Sequence, residues 1–177
     1  MPTLEIEPEK STLHIKQAVP FFWVSNIEAS LRFYVDGLGY TKTKEWIDNG
    51  KLRWCWLELD GAAHMLQEYE PGKAPSTKRG EGVSICFQCN DALAIYHQAI
   101  VRGLHPQRPF VGNAMWVVIL TDPDGYKLDF ESPTDAPEES VYQDQHRCVE
   151  SFRLKKEAGA HKERQPLHLV TTSQFSV

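Results

Sequence analysis

The chain is built twice from one pattern, and this repetition limits its possible folds more than any other feature. Displacing the sequence by 64 residues lays Asn26 on Asn90, each just before a helical stretch, and lays Asp60-Gly61 on Asp124-Gly125. In the first copy, Ala18 to Val24 reads as an apolar strand, and Ile27 to Asp36 as an amphipathic helix striped by Ile27, Leu31 and Tyr34. Gly37-Leu38-Gly39 closes that helix with residues suited to a left-handed cap. Strands are predicted over Thr41 to Ile47, Leu52 to Leu59 and Ala62 to Tyr69. The last two are joined by Asp60-Gly61, a preferred pair for a two-residue hairpin turn. The second copy runs Val83 to Cys89 as strand, Asp91 to Arg102 as helix capped by Gly103, and a short strand near Arg108 to Val111. Ala114 to Thr121 and Tyr126 to Glu131 follow, around an Asp-Pro-Asp-Gly turn. Each copy is therefore β-α-β-β-β, an α+β arrangement of two tandem βαβββ modules.

Composition removes several function classes. Nineteen basic against twenty-four acidic side chains leave a net charge of -5 with no Lys/Arg stripe, so nucleic acid is not an expected partner. No apolar run approaches the roughly 18 residues of a spanning helix. Met1 to Lys16 alternates acidic and apolar residues instead of showing a basic-then-apolar leader. The expectation is a cytoplasmic protein without a membrane segment. Four cysteines, Cys55, Cys86, Cys89 and Cys148, are too few for a disulfide scaffold. Cys86 to Cys89 has the CxxC form of a zinc or redox motif, but it lies in an alternating strand, where three steps put the two sulfurs on opposite faces.

Two segments carry a resemblance: Ser-Leu-Arg-Phe-Tyr-Val-Asp-Gly-Leu-Gly-Tyr (Ser30 to Tyr40) and Asp-Pro-Asp-Gly-Tyr-Lys-Leu-Asp-Phe (Asp122 to Phe130). With the doubled β-α-β-β-β order, they resemble the vicinal-oxygen-chelate superfamily of glyoxalase I, bleomycin-resistance proteins and extradiol dioxygenases, closest to the bleomycin-resistance branch. The resemblance covers about residues 15 to 134. It implies modules at about 17–70 and 82–133 that form a cupped, barrel-like mixed sheet with helices outside, the ligand or metal sitting in the cup. Residues 1–14 are then an N-terminal arm and 135–177 a polar C-terminal extension, in which Asp144 to Ala158 has the composition of a solvated helix.

Strand alternation sorts the hairpin faces. A two-residue turn at Asp60-Gly61 sets Trp56 opposite Met65, so Trp54, Trp56, Met65 and Gln67 share one face, while Cys55, Leu57, Leu59 and Leu66 share the other. The same displacement of 64 assigns Val118, Leu120, Asp129 and Glu131 to the first face of the second copy, and Ile119, Leu128 and Phe130 to its opposite. The aliphatic face packs on helices. The resemblance makes the mixed face the ligand side, with Trp23, Trp54, Trp56 and Trp116 to stack, Met65 beside them, Gln67 and Gln88 to orient, and Asp129 and Glu131 to answer positive charge.

Metal-binding relatives take ligands from the first and last strand of each module. Here those positions fall on Val19 or Pro20, Val83 or Ser84, Met65 and Asp129. Asp129 alone is a ligand type, and one oxygen does not hold iron, zinc or nickel, so no metal and no cofactor are expected. Gln17, Gln67, Gln88 and Glu131 have the alternation of displaced ligands but enter at another level. His64 is assigned to the helix side, there satisfied by a backbone carbonyl. His97 lies on a helix, His105 in a loop, and His14, His146, His161 and His168 in the flanks. No nucleophile elbow or phosphate loop is present, which leaves Asp129 and Glu131, two apart on one strand, as the best candidates for acid–base catalysis.

The reading that follows is a metal-free protein sequestering a small aromatic or cationic compound. The alternatives are a metal-dependent glyoxalase-like lyase, isomerase or dioxygenase, and a non-catalytic interaction scaffold. A homodimer is expected, with Trp46 and Phe110 leaving apolar surface at the module edges.

Overall fold

The computed structural model describes residues 15–76 and 79–144. The N-terminal arm 1–14, the expected helix Asp144 to Ala158, Cys148, His14, His146, His161 and His168 lie outside the described residues, Asp144 excepted. The chain divides into a compact unit, Met1–Val141, and a second unit, Tyr142–Val177, of which only the first three residues are described.

The first unit contains two four-stranded mixed sheets. Sheet one has the order β1 (Phe21–Val24), β4 (Ala62–Glu68), β3 (Lys51–Leu59), β2 (Thr41–Asp48). Sheet two repeats it as β5 (Ser84–Gln88), β8 (Lys127–Pro133), β7 (Met115–Thr121), β6 (Phe110–Gly112). In both, the first strand of the module pairs parallel with the last, and the remaining pairs are antiparallel. The tandem βαβββ reading therefore holds, with strand ends within a few residues of those predicted.

Each helix starts where the repeat placed an Asx residue. Asn26 Oδ1 accepts from Ala29 N at 2.9 Å to begin α1 (Ile27–Leu31), and Asp91 Oδ1 accepts from Ala94 N at 2.9 Å to begin α2 (Ala92–Val101). The first helix does not run on as an α-helix. Arg32–Gly37 winds more widely as a π-helical turn, and Gly37, buried, abuts the Leu104 side chain, where a β-carbon would stand 2.7 Å from it.

One face of each sheet is sealed against its helix. On sheet one this face carries Phe22, Val24, Cys55, Leu57 and Leu66, all nearly inaccessible. His64 belongs to it, at 4.4 Å from the Tyr34 ring, 4.6 Å from Tyr40 and 5.8 Å from Phe22, centroid to centroid. Neither of its ring nitrogens has a hydrogen-bond partner, so the expected carbonyl contact is absent. Burial among apolar rings pushes its pKa down to about 4. Ser132 Oγ accepts from Ala92 N at 3.0 Å, which fixes Ser132, and with it Phe130 and Leu128, on the helix side of β8.

The faces of β7 differ from the expectation. Residues Ile119 and Asp129 stand opposite each other, as do Val118 and Phe130, Leu120 and Leu128, and Trp116 and Ser132. Val118, Leu120 and Trp116 thus lie on the helix side, and Ile119 shares the open face with Asp129. The cause is turn length. Leu59 pairs with Ala62 across a two-residue loop, whereas Thr121 pairs with Lys127 across the five residues Asp122 to Tyr126. An odd loop shifts the register by one residue, and a one-residue shift turns every side chain over.

The two modules are joined through that longer loop. Asp124 Oδ1 accepts from Ser25 N at 2.9 Å, from Ser25 Oγ at 2.7 Å and from the Arg79 guanidinium at 2.8 Å. Tyr126 stacks on Phe22 at 4.4 Å and donates its hydroxyl to Trp23 O at 3.0 Å. Tyr34 donates to Asp122 Oδ2 at 3.1 Å. Residues 134–141 then run back along β6. Glu139 N donates to Val111 O, Val111 N donates to Ser140 O, and Val141 bridges to Phe110. The extension expected from Asp135 thus starts as part of the first unit.

Candidate functional site

The open face of sheet one is set by register. Phe21, Met65, Trp56 and Lys44 align across β1, β4, β3 and β2, and the neighbouring row is Trp23, Gln67, Trp54 and Trp46. Alternation explains why these eight side chains share a surface, because every one is an even number of steps from its strand neighbours on that face. The surface is wet: Phe21 is 43% exposed, Trp23 38% and Trp46 52%. Large aromatic groups this exposed on a sheet face form an apolar patch of the kind that marks candidate binding surfaces.

The sequence places Trp46 on a strand at the module edge. It does stand on the outermost strand, β2, and shifts in register between Lys42 and Lys44, and between Trp46 and Ile47, set it opposite Trp54. Bulges of this kind are not readable from alternation. A cavity of about 270 Å³ opens at this end of the sheet, lined by Trp23, Trp46, Gln67 and Tyr69 together with charged side chains of both signs. The Trp23 and Tyr69 rings lie 5.3 Å apart. Trp56 Nε1 donates to Glu58 Oε1 at 2.6 Å, and the Lys44 ammonium lies 4.8 Å from the Trp56 ring centroid. Of the residues expected here, Trp23, Trp54, Trp56, Met65 and Gln67 are brought together, and Trp116 is not.

Sheet two presents different chemistry. Gln88 and Glu131 are register partners, and Gln88 Nε2 donates to Glu131 Oε2 at 2.7 Å. Cys86 stands opposite Asp129. Burial pushes the Cys86 thiol up, and the neighbouring Glu131 and Asp129 carboxylates add to the shift, so the thiolate is disfavoured. Asp129 Oδ1 is buried without a hydrogen-bond partner. Cys89, past the strand end, donates to Glu131 O at 3.2 Å. Gln88, Asp129 and Glu131 thus share one surface, but none of them lines the tryptophan cavity.

The donor set does not suit the metal of the resembling relatives. Met65 faces the open side where a carboxylate or imidazole would be needed, and Asp129 has a thiol opposite it but no second hard ligand in register. Among the described residues no group of three or more His, Cys, Asp or Glu is placed to hold an ion.

Comparison with known proteins agrees with this fold. A family model described as the Glyoxalase/Bleomycin resistance protein/Dioxygenase superfamily matches residues 13–130. Curated proteins give no match. Among solved structures, TnmS3, an antibiotic binding protein from Streptomyces sp. CB03234, is 21% identical with a TM-score of 0.53, over 69% of this chain and 99% of that one. A glyoxylase/bleomycin resistance protein/dioxygenase domain from Frankia sp. EAN1pec is 14% identical with a TM-score of 0.55, over 70% and 95%. TioX from Micromonospora sp. ML1 is 13% identical with a TM-score of 0.51, over 69% and 99%. At these identities the structural likeness establishes the fold.

Proposed function

Since the chain belongs to the glyoxalase/bleomycin resistance protein/dioxygenase superfamily, we propose that it uses this fold to bind and sequester a small aromatic compound, without a metal. The observation that carries the reading is the pair of cross-strand rows, with three tryptophans flanking Gln67 in one of them. Flat rings stack on indole faces, and a side-chain amide set among them offers both N–H donors and a carbonyl acceptor for orientation. The likeness to TnmS3, an antibiotic binding protein, supports a binding role. Tryptophan fluorescence titrated with planar aromatic compounds tests it, the expected result being saturable quenching that Trp54→Ala removes. Quenching by none of them would favour a scaffold. A stoichiometric divalent ion in protein purified without chelator, lost in Asp129→Ala, would overturn the metal-free part.

A second copy of the chain is the proposed macromolecular partner. Strands β1 and β5 each end a sheet, so each has one edge unpaired among the described residues, and the open face beside β1 exposes Phe21 and Trp23. Trp46 and Phe110, at 52% and 37% exposure, add apolar surface. A two-fold dimer covers such surface with its own equivalent. Light scattering at micromolar concentration should give twice the chain mass, and a monomer would refute it. Among the described residues no helix is long and apolar enough to cross a membrane, and a cytoplasmic setting is part of the same proposal.

A further inference from the structure

We propose that Lys44 sets the charge selectivity of the tryptophan face: it occupies the cation seat over Trp56, so the ligand end lying there carries an anionic or hydrogen-bond-accepting group. This rests on the ligand-binding reading above and narrows it. The negative face of an indole ring attracts a cation within about 6 Å of its centroid, and the Lys44 ammonium is there already, at 4.8 Å. The Glu58 carboxylate on Trp56 Nε1 adds electron density to the ring and strengthens that hold. A ligand cation therefore has to displace Lys44 to reach Trp56, whereas an anion meets a fixed positive charge.

The other charges do not reverse this. Within the two rows Lys44 is the only ionisable side chain, its companions being Phe21, Met65 and Trp56 in one and Trp23, Gln67, Trp54 and Trp46 in the other. Among the described residues Lys44 makes no ion pair, whereas Lys42 beside it is bound to Glu45. Glu58 pairs with Ala63, one row beyond Trp56, and its carboxylate meets the in-plane indole N–H at the ring edge, whereas the Lys44 ammonium lies over the ring face. In the cavity lining Asp48, Glu68 and Glu70 are matched by Arg53, Lys73 and, from outside it, the Lys51 that bonds Glu68. The carboxylates expected to answer a ligand's positive charge, Asp129 and Glu131, stand on the other sheet.

Three probes of one shape separate the outcomes: naphthalene-2-sulfonate, 2-naphthylmethanol and 2-naphthylmethylammonium, titrated against the intact protein by tryptophan fluorescence at low salt. The wild type should bind the sulfonate roughly three- to tenfold more tightly than the ammonium. Lys44→Gln should erase that preference, Lys44→Glu should invert it, and both should leave the alcohol within about twofold. Lys44 is exposed on the outer strand, so the variants keep the fold, and a thermal melt checks this. If the wild type prefers the ammonium, or Lys44→Gln moves neither charged probe, the role of Lys44 is refuted while alcohol binding leaves the aromatic site standing. If no probe binds, the aromatic site itself falls, and this inference with it.

Discussion

His64 should make this protein lose stability on mild acidification, by an amount that one substitution isolates. The imidazole is 1% exposed and packed among Phe22, Tyr34 and Tyr40 with neither nitrogen bonded, so the folded state holds it neutral until about pH 4. In the unfolded chain it takes a proton near pH 6.5. Between those values the unfolded state binds the proton and the folded state does not, so stability falls as pH drops from about 6.5 to about 4 and then levels off. At about 1.4 kcal/mol per pKa unit the full loss is about 3 kcal/mol, of which about 2 kcal/mol is reached between pH 7 and pH 5. Asp122, whose carboxyl is raised by burial against its hydrogen bonds, acts in the opposite sense, because protonating it favours the folded state. The isolating comparison is therefore wild type against His64→Leu, by urea unfolding at pH 7 and pH 5. The stability difference between the two proteins should shift by about 2 kcal/mol in favour of the leucine variant at the lower pH. An unchanged difference would show that His64 is hydrated or bonded in solution, and the packing described around it would be wrong.

Opposite sides of β3 should respond oppositely. Leu57→Ala removes a fully buried side chain and should cost about 2–5 kcal/mol in thermal or urea unfolding with little effect on aromatic-probe affinity, while Trp54→Ala should do the reverse. Asp124→Ala deletes the acceptor for Ser25 and Arg79 at the module junction and should lower stability by about 1–3 kcal/mol, read from the urea midpoint; an unchanged midpoint would show the junction to be held elsewhere. Burial pushes the Cys55 thiol up to about 11, so iodoacetamide at pH 8 followed by mass spectrometry should label Cys86 in the native protein and Cys55 only after unfolding. Early labelling of Cys55 would contradict its place beneath the helix.

The sequence made one hairpin legible and misled on the other. Asp60-Gly61 spells a two-residue turn, and from it the faces of β3 and β4 follow by counting, so Trp54, Trp56, Met65 and Gln67 were placeable without coordinates. The Asp122 loop hides its length. Its carboxylate accepts from Asp124 N at 2.9 Å and Tyr126 N at 2.8 Å, a side-chain closure that stretches the loop to five residues. Trp116 was lost to the site by that one residue, and Trp46 gained by the bulges of β2. The orphaned nitrogens of His64 were illegible for another reason, since parity gives the face a side chain points to and not the partners it finds there.

The return of residues 134–141 along β6 has a consequence for any shortened version of this chain. Glu138 accepts from Asn113 N at 3.1 Å and Ala114 N at 2.6 Å, where both residues have positive φ, and so clamps the tight turn between β6 and β7. Among the described residues the outer strand of sheet one, β2, has no such cover. Its eight exposed residues rely on Lys42, Lys44, Glu45 and two register shifts to discourage addition of another strand. Ending the polypeptide at Pro133, where the strand pattern of the second repeat stops, would strip the three-residue β6 of its seal and leave its outer edge raw, without charge or bulge to guard it. An excised domain that is to stay monodisperse has to run on through Val141.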